Sequence, residues 1–147
     1  MKWVTREHAK VDRIACPWLI KNYIDNDAEF LFVPVDMVKE IAKEENAVPF
    51  DIPDVELGHH GDECSFDAII KKYELDKKDK SLLELAKIVR GADTPNRKLT
   101  PQSEGLVAIA TGFSRNSRDD YDNMSKQFPV YDALHTFCKL QKTIYDK

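Results

Sequence analysis

Apolar and polar positions change their rhythm along the chain, and that change predicts the elements. Lys2 to Thr5 reads as a short strand with Trp3 and Thr5 on one face. From Asp12 to about Ile24 the period becomes helical, with Ile14/Trp18 and Ala15/Leu19 at i, i+4 spacing. Pro17 leaves two starts open for this helix. Either Asp12 caps it with Pro17 inside, or Cys16 caps it and Pro17 is the first helical residue; the extended bias of a residue before proline favours the second. Glu29 to Val33 (EFLFV) predicts a buried strand ended by Pro34. Asp36 then caps an amphipathic helix through Glu45, with Met37, Val38 and Ile41 inward. Ala47 to Ile52 and Asp54 to Leu57 predict two short strands around Pro53, followed by the loop Gly58-His59-His60-Gly61-Asp62-Glu63.

From Ser65 onward the pattern is helical. Ser65 caps a helix to Tyr73, and Asp79 caps another to about Val89, closed by Gly91. Ser103 to Ser114 is apolar and rich in small residues, which predicts a buried helix. Arg118 to Gln127 and Pro129 to about Ile144 predict the last two helices, with Val130, Leu134, Phe137 and Cys138 on one seam. No repeat or linker interrupts residues 1–147. The expected fold is one α+β domain, a small sheet in the N-terminal half packed by helices and a mostly helical C-terminal half.

Composition narrows the function classes. A chain of 147 residues supports a single core. With 26 acidic against 22 basic residues the net charge is −4, without the basic excess of a nucleic-acid binder. No apolar run approaches the ~20 residues of a membrane span, and Met1 to Lys10 does not read as a secretory signal. The widely spaced Cys16, Cys64 and Cys138 fit a reducing compartment rather than a disulfide framework, so the expected location is cytoplasmic.

Several segments carry a family resemblance in their order and spacing: Trp3-Val4-Thr5-Arg6, Val11-Asp12-Arg13-Ile14-Ala15-Cys16-Pro17-Trp18, Ala28 to Pro34, and Pro49-Phe50-Asp51-Ile52-Pro53. Val55-Glu56-Leu57-Gly58-His59-His60-Gly61, Cys64-Ser65-Phe66-Asp67, Ile88 to Asp93 and Tyr131 to Leu134 complete the set. Together they resemble the ChrB-type chromate-resistance domain over nearly the whole length. The resemblance implies a role in chromate resistance. Some members carry this domain behind a regulatory or rhodanese-like segment that these residues lack, so neither DNA binding nor sulfur transfer carries over. His135 and the lysine-rich tail depart from the family's expected ending and take no role from it.

The residues themselves point to a metal site around Glu56–Asp67. Imidazole and carboxylate suit zinc, iron or manganese. In an extended chain His59 and His60 face opposite ways, so Glu56 with His60 is the cheaper pair, His59 is the further candidate of the motif, and Asp93 could complete such a site from a distant part of the chain. A loop-capping histidine and a turn-forming Asp93 are the structural alternatives. Cys16, as a helix cap beside Arg13, would be a reactive thiol; the alternative is a buried residue beside Trp18. Arg13 and Arg90 could hold a small oxyanion, chromate resembling sulfate in shape and charge, or instead pair with Asp12, Asp67 or Asp93. Lys139, Lys142 and Lys147 read as a solvated helix face.

The reading that results is a chromate-response sensor or accessory domain that binds a metal ion or oxyanion and signals to a protein partner. A metal-dependent enzyme using the same residues, acting in redox or reactive-oxygen detoxification, is the alternative. The charge balance also yields a negative prediction. In an anisotropy titration near physiological salt, the isolated chain should bind duplex DNA no tighter than the non-specific range of roughly 10⁻⁴–10⁻⁶ M, and sequence-dependent binding would overturn it.

Overall fold

A computed structural model describes residues 1–145 of the chain, with side chains through residue 141. Three parallel strands, β1 (Lys2–Arg6), β2 (Glu29–Val33) and β3 (Val48–Pro49), lie in the order β2-β1-β3. Helix α1 (Asp12–Tyr23) joins β1 to β2, and α2 (Val38–Glu44) returns the chain across β1 to β3. Parallel neighbours need such crossovers, because a tight hairpin cannot reverse the chain twice. The central strand is buried on both faces. Trp3 packs with the main core, whereas Val4 packs with Val38, Ala47 and Ile52. Alternate residues of a strand face opposite ways, so α2 covers one face and the remaining helices build on the other.

The C-terminal half is helical as expected: α3 (Ser65–Tyr73), α4 (Ser81–Asp93), α5 (Pro101–Asn116) and α6 (Asp120–Tyr145). The sheet sits in the N-terminal half, which bears out the small-sheet-plus-helices expectation. Among the described residues, no helix is long and apolar enough to cross a membrane.

Local expectations fail where tertiary ties outweigh local preference. Helix α1 starts at Asp12 and carries Pro17 inside, so Cys16 is not its cap. Pro17 removes the bond to the Arg13 carbonyl, but Asp12 anchors the start: its N–H donates to Asp93 at 3.3 Å and its carboxylate is wholly buried. Asp36 lies in a short 3-10 turn, Val35–Met37, and caps nothing; Val38 is the buried residue, while Met37 is exposed. Asp54–Leu57 is turn rather than strand, joined to the end of β3 by an isolated bridge from Leu57 to Phe50. Cys64, not Ser65, caps α3. The last two expected helices are one 26-residue helix with Pro129 inside. Its buried seam runs through Tyr131, His135 and Cys138. Lys142 and Lys147 lie outside the residues whose side chains are described.

Two helices differ in a way that matters later. Gly91 does not close α4 but lies inside it, where a Cβ would collide with the Ser103 hydroxyl and come within 2.9 Å of Ser103 Cβ. Ser103 in turn donates to the Ile88 carbonyl at 2.9 Å, so this glycine permits the close α4–α5 crossing. Helix α5, expected to be buried, buries fully only Ser103, Leu106 and Ala110. Gly91→Ala should therefore force the helices apart and cost about 1–3 kcal/mol, read as a lower urea midpoint with an unchanged slope.

Candidate metal centre

The parallel order β2-β1-β3 creates a switch point, where the chain leaves neighbouring strands in different directions. Open α/β sheets place ligands beyond the carboxyl ends of their strands at such a point. Two acidic residues stand there. Asp12 begins α1 after β1, and Asp51 follows β3 by two residues. The chain bends sharply at both places: Val11 has φ 29° and Asp51 has φ 52°, uncommon backbone for residues other than glycine. Thr5 Oγ1 donates to the Phe50 carbonyl at 2.7 Å, and the Asp51 amide donates to the Leu57 carbonyl at 3.0 Å. These bonds hold Asp51 at the sheet edge and bring the histidine loop alongside it.

Gly58 explains how the loop comes so near. A Cβ there would lie 2.6 Å from the Ile52 carbonyl oxygen, so only glycine lets the segment before His59 approach. His59 then points inward. Its Nε2 lies 2.8 Å from Asp93 Oδ2, 3.1 Å from Asp51 Oδ1 and 3.6 Å from Asp12 Oδ2. One donor atom from each of Asp12, Asp51, His59 and Asp93 lies within 4.8 Å of all the others. Asp93 arrives as the last residue of α4, so the four come from four separate segments.

The carboxylates are themselves held. Asp12 accepts the Ser65 amide at 2.7 Å and the Phe66 amide at 3.3 Å, which seats it on the N-terminus of α3. Asp51 accepts Arg13 Nη1 at 3.2 Å and Ser65 Oγ at 3.0 Å. Burial, reinforced by the charge of Asp93, pushes the Asp12 carboxyl up to about 8. Hydrogen bonding to Asp12, Asp51 and Asp93 pushes the His59 imidazole up to about 12. Both shifts have one origin: three carboxylates share a poorly solvated space, and the histidine proton is the positive charge at its centre.

Of the residues singled out from sequence, the structure brings together His59 and Asp93 and leaves out Glu56 and His60. Glu56 is exposed and paired with Lys72 at 2.7 Å. His60 Nε2 lies 2.7 Å from the Glu56 carbonyl oxygen, making it the loop-capping histidine. The preference for His60 over His59 is thus reversed, because this segment is a turn and strand alternation does not apply. Arg13 and Arg90 do not converge. Arg13 is committed to Asp51 and to the His8 carbonyl, whereas Arg90 reaches Asp67 at 3.2 Å and Glu63 at 3.8 Å. Cys16 is fully buried inside α1, with its thiol 3.6 Å from Asp12 Oδ1. Burial and the Asp12 charge push that thiol well above the usual cysteine range, the reverse of thiolate activation.

Asp12 and Asp51 were not singled out as ligands. Their only sequence signal is that each follows a strand, and that becomes informative once the strand order is known. A cleft of about 550 Å³ opens beside the cluster, bordered by His59, Arg90, Asp93, Thr94 and Asn96 among others.

Comparison with known proteins agrees with the resemblance in the segments. Protein ChrB of Cupriavidus metallidurans is 30% identical over 135 residues, which cover 92% of this chain and 40% of that protein. The chain therefore spans less than half the length of that relative. No solved structure matches it. Residues 3–138 match the model described as the ChrB C-terminal domain, a range that holds all four clustered residues, and the chain belongs to that family.

Proposed function

We propose that this domain binds one divalent transition metal ion through Asp12, Asp51, His59 and Asp93, and acts as a metal-dependent sensor or accessory protein in chromate resistance. The observation that carries this reading is the convergence of three carboxylate oxygens on His59 Nε2 at 2.8–3.6 Å. Ligands bonded at about 2.0–2.2 Å to one ion stand roughly 3–4 Å apart, so an ion replacing the histidine proton needs little rearrangement. A dication that displaces the His59 proton and the proton that burial keeps on Asp12 would leave three carboxylates to offset its charge. An oxygen-rich set with one imidazole and no thiolate favours manganese or iron over zinc. The link to chromate is the one that family membership implies.

The cleft favours a second reading. An ion bound between His59 and Asp93 would have its open side on this cleft, whose wall includes Arg90, a guanidinium already paired with Asp67 and Glu63. Such an arrangement suits a metal-dependent enzyme as well as a sensor. Turnover by the metal-loaded protein that disappears in His59→Gln would select the enzyme.

Protein purified without an affinity tag and loaded with manganese, iron or zinc should hold about one ion per chain by elemental analysis. His59→Gln should lose most of it, while His60→Ala and Glu56→Gln keep it; equal loss in His59→Gln and His60→Ala would sink the assignment. The pH dependence has a definite sign. Without metal His59 keeps its proton up to about 12, so binding must displace that proton throughout the neutral range. Asp12 adds a second below about 8. Affinity should therefore rise at least about tenfold per pH unit between roughly pH 6 and 8, and calorimetry in buffers of different ionisation enthalpy should show proton release.

A further inference from the structure

The outward face of α5 has no counterpart among the described residues. Its inward positions, Ser103, Leu106 and Ala110, pack on the core, whereas Gly105, Ala108, Ile109 and Gly112 form an exposed row at i, i+3, i+4, i+7 spacing. Ile109 is 43% exposed. A Cβ added at Gly105 or Gly112 would meet nothing within 4 Å, so the fold of the single chain does not call for glycine there. Each glycine nevertheless weakens the helix relative to alanine. Gly91 shows what such a residue does elsewhere in this protein, since it admits α5 closely against α4.

Charge identifies the occupant. Glu104 and Arg115 lie on one flank of this row, and Ile109 lies on the other. Both charged residues are exposed, and among the described residues neither makes an ion pair. They stand at equal distances from the midpoint between Ile109 and Ala110. Two copies of α5 packed antiparallel are related by a two-fold axis across the helices, which sets like flank against like flank and reverses the direction of the chain. Glu104 of each copy then meets Arg115 of the other at both ends of the seam. Ile109 meets its own equivalent near the axis, and the glycines let the backbones approach. Such a match of one patch to itself defines an isologous interface.

We infer that α5 is a homodimer interface, formed by antiparallel packing of this face on a second copy of the chain. The pairing buries one helix face per subunit, so it belongs to the small, weak class of interfaces, with dissociation in the micromolar range.

Sedimentation velocity from about 5 to 500 µM tests this. The parent chain should shift from monomer to dimer across the series. Ile109→Asp, which sets two carboxylates at the axis, should abolish the shift. Glu104→Arg should weaken it about tenfold by opposing like charges, and Glu104→Arg combined with Arg115→Glu should restore it. Circular dichroism checks that each variant keeps its helices; these positions are exposed, so folding should persist. A parent that stays monomeric throughout, a dimer indifferent to Ile109→Asp, or a double variant no stronger than Glu104→Arg would each overturn the assignment.

Discussion

Everything at the functional end of this molecule depends on keeping the Asp12 carboxylate away from water. Asp12 is completely buried, and an isolated charge in that position would not survive folding. Its partners are the first amides of α3, the Cys16 thiol and the His59 imidazole. Each belongs to a different part of the chain, so satisfying one carboxylate ties the start of α1 to the start of α3 and to the histidine loop. Asp51 repeats the device through Ser65 and Arg13. The helix N-terminus of α3 and the guanidinium of Arg13 hold the carboxylates, leaving His59 as the group most free to exchange its contacts. That division separates what supports the site from what operates it.

The same logic places the charged residues that look functional in isolation. Arg90 anchors Asp67, whose other oxygen accepts the Cys64 amide at 3.0 Å and so fixes the cap of α3. Because α3 supports Asp12, Arg90 stands one step behind the cluster while also bordering the cleft. His60 closes the loop that His59 leaves. Adjacent residues in one motif thus have unlike roles, one reaching the carboxylates and the other fixing the backbone that aims it.

The sequence makes the strand at Glu29–Val33, the two-part architecture and the family legible, because local periodicity and motif order carry them directly. The histidine loop and Asp93 could also be read as chemistry. What could not be read was geometry across long separations. Asp12 looked like a helix cap and Asp51 like part of a strand, since local rules see only near neighbours. The placing of His59 and His60 was hidden for the same reason: the segment is a turn, not a strand, its shape is set by Gly58 fitting against Ile52, and it is His59 that meets the carboxylates. Pro17 and Pro129 misled equally, as buried helices that hold the core together outweigh the loss of one backbone bond. Helix α5 shows the opposite error, where small apolar residues signalled burial but one face finds no cover among the described residues.

A site assembled from four distant segments has a thermodynamic consequence for any ion that binds it. The unfolded chain scatters Asp12, Asp51, His59 and Asp93, so an ion that recognises the set binds the folded state alone. Folding and occupancy are then linked, with stability rising by about 2.7 kcal/mol when the free ion is a hundredfold above its dissociation constant. The gain falls on particular contacts. Asp93 ends α4, and Asp12 starts α1, so an ion between them bridges the sheet edge to the helical half. Without the ion, the histidine proton is the link across the same gap, and Asp12 retains its hydrogen bonds to α3. The domain can therefore keep its fold in both conditions while the end of α4 is held by different forces. A change of that kind, confined to one helix end beside an open cleft, is a physical basis for reporting ion supply without a large rearrangement of the core.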